Sequence, residues 1–142
     1  MRYHNITKDD MLNGDGLRVV LWVAGCEHKC EGCHNPITWD PDGGLPFGED
    51  EKSEIFTELD KPHISGITFT GGDPLYQSNI NGVETLAKEI KDLTVIRYID
   101  ILIDGKFLKD KLDPKLHWRG STNQRVIDVK QSRDDIVLYT KA

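Results

Sequence analysis

Cysteine is scarce in this 142-residue chain: there are three, and all lie between residues 26 and 33. An odd count in one tight cluster excludes a fully paired disulfide framework. No stretch approaches the roughly 20 apolar residues of a membrane span. The opening "MRYHNITKDD" lacks the apolar core of a secretory signal. These absences predict a cytoplasmic protein with no membrane role. In that reducing compartment, clustered thiols read as metal-binding or catalytic. A redox pair of Cys30 and Cys33 would leave Cys26 unexplained. A basic stripe is also missing: net charge is −6, which reads as solubility and excludes a nucleic-acid groove. The chain carries no internal repeat, low-complexity linker, Ser-His-Asp set, paired-carboxylate motif or G-x-x-x-x-G-K phosphate loop.

What is present is a repeating plan. The length suits a single domain over residues 1–142 with one core. "LRVVLWV" (17–23), "ISGITFT" (64–70) and "IDILI" (99–103) are strand-length apolar runs rich in branched residues. "RVIDV" (125–129) and "IVLYT" (136–140) are weaker candidates for edge strands. Between the second and third runs, "SNINGVETLAKEIKDL" carries a helical stripe of Val83, Leu86, Ala87, Ile90 and Leu93, with Ser78 or Asn79 as caps. "EDEKSEIFTELD" is a shorter amphipathic helix with an acidic start. The alternation predicts an α/β fold with a mainly parallel sheet and right-handed crossovers.

In such folds chemistry gathers at the carboxyl ends of strands. The cysteine loop follows the first strand, "TGGDP" (70–74) ends the second, and "DGKF" (104–107) follows the third. Three motifs at three strand ends are expected to converge on one edge. Each has a plain reading. "TGGDP" is a tight turn, its glycines supplying positive φ or close backbone approach and Pro74 stopping the strand. "DG" at Asp104 is an ordinary turn signal.

The cysteines admit two metals. A structural zinc site would take His28 or His34 as fourth ligand. His28 lies inside the loop and His34 adjoins Cys33, so neither wraps easily around the same ion. An iron–sulfur cluster is the alternative: a 4Fe–4S cube needs four ligands, and three cysteines leave one iron open to a small molecule. Open coordination marks a reactive site.

Cys26-x3-Cys30-x2-Cys33 resembles the radical S-adenosylmethionine (SAM) enzymes. In that family the amino and carboxylate groups of SAM chelate the open iron. Gly32 before the last cysteine is similar to one branch, the activating enzymes of anaerobic (class III) ribonucleotide reductase. "NGDGLR" (13–18) looks like that branch's N-G-P-G-x-R stretch, with Asp15 in place of proline. "CHNPITWD" carries its Asn35 and Trp39, and "DILIDGKF" and "WRGSTNQR" (118–125) are similar to its C-terminal signatures. The last segment separates it from the pyruvate formate-lyase activator. The family has a further strand between the long helix and "YIDILIDG", where only "TVIR" separates Leu93 from Tyr98 here.

The resemblance implies an iron–sulfur, SAM-dependent activating enzyme. Such an enzyme cleaves SAM reductively to methionine and a 5′-deoxyadenosyl radical, which generates a glycyl radical on the reductase large subunit. It implies Cys26, Cys30 and Cys33 as cluster ligands, and Gly71, Gly72, Asp73, Pro74 and Asn35 around SAM. Asp104 and Lys106 would approach the SAM ribose or carboxylate, and Arg119, Asn123 and Arg125 would contact the reductase. A low-potential donor such as a flavodoxin would supply the electron. A full (β/α)8 barrel needs about 250 residues, so a partial, open barrel is expected, its open side suited to a macromolecular substrate. An activator of another glycyl-radical enzyme, of the pyruvate formate-lyase type, and a zinc-binding adaptor are the other readings.

Overall fold

The computed structural model describes residues 1–93, 100–129, 131 and 137–138, with the side chains of residues 91–93 and 104 excluded. They pack as two compact units. Met1–Lys29 with His34–Ile90 form the first, and Cys30–Cys33 with Lys91–Ala142 form the second.

The first unit is built on a four-stranded sheet in the order β3-β1-β2-β4. β2 (Leu17–Val23) lies inside it and pairs in parallel with β4 (Ile64–Gly71), from Leu17 opposite Ile64 to Val23 opposite Gly71. Period-2 alternation sends Val19, Leu21 and Val23 to one face of β2. There they meet Ile55 of α1 (Glu49–Leu59) and Val83 and Leu86 of α2 (Ile80–Leu93) in a buried core. Val20 is fully buried as well, which explains why the run is apolar without interruption. Each such side chain contributes about 1.5–3 kcal/mol by leaving water. α1 begins at Gly48, whose N–H donates to Glu51 Oε2 at 2.8 Å. That bond, first among the causes, holds the Glu51 carboxyl below its usual pKa.

β1 (Arg2–Asp10) pairs antiparallel with β2 and with the two-residue β3 (Leu45–Pro46). No alternation announces it, because it is bulged twice. Two residues of β1 oppose one of β2 between Tyr3 and Asn5, and the register shifts again between Thr7 and Asp10. The first bulge re-phases the side chains, so Tyr3 and Ile6, three apart, both pack against the core.

In the second unit β5 (Ile101–Asp104) pairs antiparallel with β6 (Arg125–Asp128), Asp104 opposite Arg125. The loop between them folds back through a bridge of Leu112 with Ser121. The described sheets are therefore mostly antiparallel, and β2–β4 is their single parallel pairing. This corrects the mainly parallel expectation. The "IDILI" run finds its partner in "RVIDV" across a loop, and a hairpin pairing needs no crossover helix. The expected strand at 136–140 lies outside the described residues except for Val137 and Leu138, the latter bridged to Ile127. No helix among the described residues is long and apolar enough to cross a membrane.

Candidate functional site

Because β2 and β4 run parallel as neighbours, the chains leaving them emerge at one edge. Their backbones are bonded to each other there. Gly72 N–H donates to Val23 O at 2.8 Å and Asp73 N–H to Gly25 O at 2.8 Å. Gly25 N–H in turn donates to Thr38 O at 2.7 Å and Cys26 N–H to Trp39 O at 3.1 Å, so a short 3-10 turn, Pro36–Trp39, backs the start of the cysteine loop. Asn35 stands at the head of that turn, its carbonyl accepting from the Thr38 amide and hydroxyl. The glycine pair is required by this contact. A Cβ on Gly72 would lie 2.5 Å from Gly25 O and 2.9 Å from Thr38 O, and Gly71 has φ +99° with Val23 backbone 2.9 Å away. The cysteine loop's own backbone makes a close approach at this pair.

Asp73 faces that loop. Its Oδ1 accepts the Leu75 N–H at 2.9 Å, and its Oδ2 lies 3.3 Å from Nε2 of His28, between Cys26 and Cys30 in sequence. Pro74 is half-buried beside it. Behind both chains sits Asn79, fully buried, donating to Ala24 O at 2.8 Å and Asp73 O at 3.0 Å. Cys26 is half-buried and lines an open cavity of about 500 Å3 with Glu27, Lys29, Trp39, Asp40, Pro41 and Tyr76. Desolvation, then the nearby Glu27 carboxylate, raises the Tyr76 hydroxyl above its usual pKa.

Cys30 and Cys33 belong to the second unit, both half-buried, with Cys33 N–H donating to Cys30 O at 3.1 Å. Gly32 has φ +75°, and Phe107 and Lys109 lie beside it without crowding; the left-handed backbone alone accounts for glycine at that position. Among the described residues no three His, Cys, Asp or Glu side chains are arranged to hold one metal ion. The choice between zinc and a cluster therefore rests on kinship.

The remaining expected site residues lie in the second unit. Asp104 ends β5 and Lys106 is exposed. The "WRGSTNQR" segment is turned inward upon its own unit. Asn123 donates to Lys106 O at 2.8 Å, Gln124 to Gly105 O at 2.9 Å, and Arg119 to Gln124 O. Gln124 Oε1 also accepts from the Gly120 and Ser121 amides. Asn123 and Gln124 thus hold the "DGKF" turn directly, and Arg119 braces the Gln124 backbone. Arg125 is exposed at the start of β6. Sequence reasoning missed Gln124 and the contact of His28 with Asp73, and it placed Asn79 only as a cap. For Asn79 a signal existed: it precedes Val83, Leu86 and Ile90 by 4, 7 and 11 residues, a polar side chain continuing the buried helical stripe.

The chain matches the family described as a 4Fe–4S single cluster domain over residues 12–95 and 83–127. It is 40% identical over 146 aligned positions to the anaerobic ribonucleoside-triphosphate reductase-activating protein of Enterobacteria phage T4, covering 89% of this chain and 93% of that protein. Proteins of the same name from Salmonella typhi and Escherichia coli K12 are 37% and 35% identical, each match covering 89% of this chain and 97% of the relative. Because 89% of 142 residues is about 126, roughly 20 of the 146 aligned positions in the phage comparison have no residue in this chain. The region where the sequence is short, between Leu93 and Tyr98, falls outside the described residues apart from the Leu93 backbone. No solved structure matches the chain significantly.

Proposed function

The chain belongs to the family of anaerobic ribonucleoside-triphosphate reductase-activating proteins, and from that membership we propose that it generates the glycyl radical of the reductase by reductive cleavage of SAM. It is an iron–sulfur protein whose target is the reductase. The residues fit the implied group: three half-buried thiols fall within eight residues, and a carboxylate faces the start of their loop. Held by these residues, a 4Fe–4S cluster together with SAM would supply one-electron reductive cleavage of the sulfonium, the radical chemistry needed to oxidise a glycine α-carbon of the partner.

The protein's own part is to hold and orient. Cys26, Cys30 and Cys33 anchor three irons as thiolates. Asp73, whose carboxylate now meets His28, would accept hydrogen bonds from the SAM amino group. Gly71 and Gly72 keep the turn flush against the cysteine loop, and Asn35 fixes the turn behind it. Asp104 and Lys106 lie on the "DGKF" turn, which takes the ribose or carboxylate end. The cavity beside Cys26 falls within the range of small-molecule sites. The shortened, open barrel belongs to this reading, as do a cytoplasmic setting and a low-potential donor such as a flavodoxin. The observation that carries the reading is the kinship with the reductase-activating proteins; the Asp73-to-Gly25 bond supports it by joining the loop of the first thiol to the turn carrying the carboxylate.

Anaerobic reconstitution tests it. About four irons and four sulfides per chain, 5′-deoxyadenosine release with dithionite and SAM, and a glycyl radical signal on the reductase are expected. The same cleavage with a radical on another glycyl-radical enzyme alone would reassign the partner. Tight zinc with no labile sulfide would overturn the enzyme.

A further inference from the structure

Asn79 stands at the position before α2, where an asparagine ordinarily caps the helix through its side-chain oxygen. Its Oδ1 instead has no hydrogen-bond partner, although the residue is 0% exposed. The amide nitrogen reaches away from the helix, to Ala24 O at 2.8 Å and Asp73 O at 3.0 Å. A buried oxygen left without a partner is unfavourable, and what this geometry gains in return is the pair of bonds made by the nitrogen.

Those two carbonyls are well chosen. Ala24 lies two residues before Cys26, and the Asp73 carbonyl belongs to the residue whose carboxylate faces the cysteine loop. Both chains pivot on glycines at this point, Gly25 with φ +105° and Gly71 with φ +99°, so no Cβ limits their path. One NH2 group donates its two hydrogens at a fixed angle, and that fork sets the separation of the carbonyls it holds.

We propose that Asn79 is a positioning residue for SAM. Without touching the cofactor, its amide fixes the turn carrying Asp73 against the strand end leading to Cys26, and so sets SAM affinity. This rests on the reading of Asp73 given above.

The test is SAM binding to anaerobically reconstituted protein, read by equilibrium dialysis of labelled SAM and by the change SAM makes in the spin-resonance spectrum of the reduced cluster. Iron, sulfide and thermal midpoint are measured alongside. Asn79→Ala is expected to keep the wild-type iron and sulfide content and to weaken SAM binding by about 10-fold or more, the scale of two lost hydrogen bonds. In an Asp73→Ala background the same substitution is expected to change affinity by less than about 2-fold, because the group it positions is gone. Equal losses in both backgrounds, or a lower midpoint with unchanged SAM affinity, would overturn the role. If Asn79→Ala does not fold, Asn79→Ser keeps one donor and should give an intermediate loss; wild-type affinity there would overturn the role as well. Wild-type protein that holds the cluster yet retains no SAM would overturn the cofactor reading itself, and this proposal with it.

Discussion

The β2–β4 strand pair carries a glycine-rich polar motif at each end, and the two ends use the same materials differently. At the amino end, "NGDGLR" closes onto β4. Arg18 donates to Thr68 Oγ1 at 2.7 Å, to Ile67 O at 2.6 Å and to Asp15 O at 3.3 Å, and the Thr68 hydroxyl donates to Asn13 O at 2.7 Å. The groups are spent on one another, and the motif is a clamp. At the carboxyl end the backbones do the fastening, through Gly25, Gly72 and Asp73. There a carboxylate is touched by a half-exposed histidine, and a buried amide oxygen stands without a partner. Glycines with charged neighbours at a strand end therefore do not by themselves make a site. What separates a site from a clamp is the chemistry left over once the backbone is satisfied.

The sharpest way to break this contrast is at the thiol. Cys26→Ala should bring 5′-deoxyadenosine release to background and lower the iron bound per chain, with circular dichroism unchanged. Cleavage at the wild-type rate would remove Cys26 from the site. Next, Gly72→Ala forces a Cβ against two carbonyls that are backbone and cannot swing aside. It should cost about 1–3 kcal/mol in urea unfolding, and SAM affinity should fall with it. At the opposite end, Arg18→Ala should cost about 1.5–3 kcal/mol, the scale of charged hydrogen bonds, while iron content and SAM affinity stay at wild-type values. A loss of SAM affinity there would show that the two ends are not separate in function. The smallest effect belongs to Glu51, which caps α1 away from both loops. Its folded pKa is lowered, so its contribution is present above the unfolded pKa and disappears as pH falls through the folded value. The gap between wild type and Glu51→Gln in urea midpoint should therefore close as pH falls from neutral through and below the ordinary carboxylate range.

Much of the core was legible because its signals are local. "LRVVLWV" is buried on both faces and reads as a run without alternation; Val83 and Leu86 fall on one helical stripe. β1 was not legible, since its two bulges break the period by which a strand is recognised. The "TGGDP" turn and the need of its glycines for positive φ or close approach were legible, but not which chain approaches: it is one some 45 residues away in sequence. Asn79 looked like a cap because cap and clamp share a residue type, and only the direction of the side chain separates them. The bonds of Arg119 and Asn123 within their own loop were not legible, because a polar loop segment does not announce which carbonyls it meets.

By itself the sequence determined that three thiols fall within eight residues, along with the strands and helices whose periodicity is local and the family to which the chain belongs. Tertiary structure alone decided that the first thiol's loop and the carboxylate's turn leave neighbouring parallel strands and are tied by one buried amide. The physical reason is register. Residues some 50 apart meet only when β2 and β4 pair from Leu17 and Ile64 to Val23 and Gly71. The packing of Val19, Leu21 and Val23 against Ile55, Val83 and Leu86 holds that pairing, which no local preference along the chain encodes.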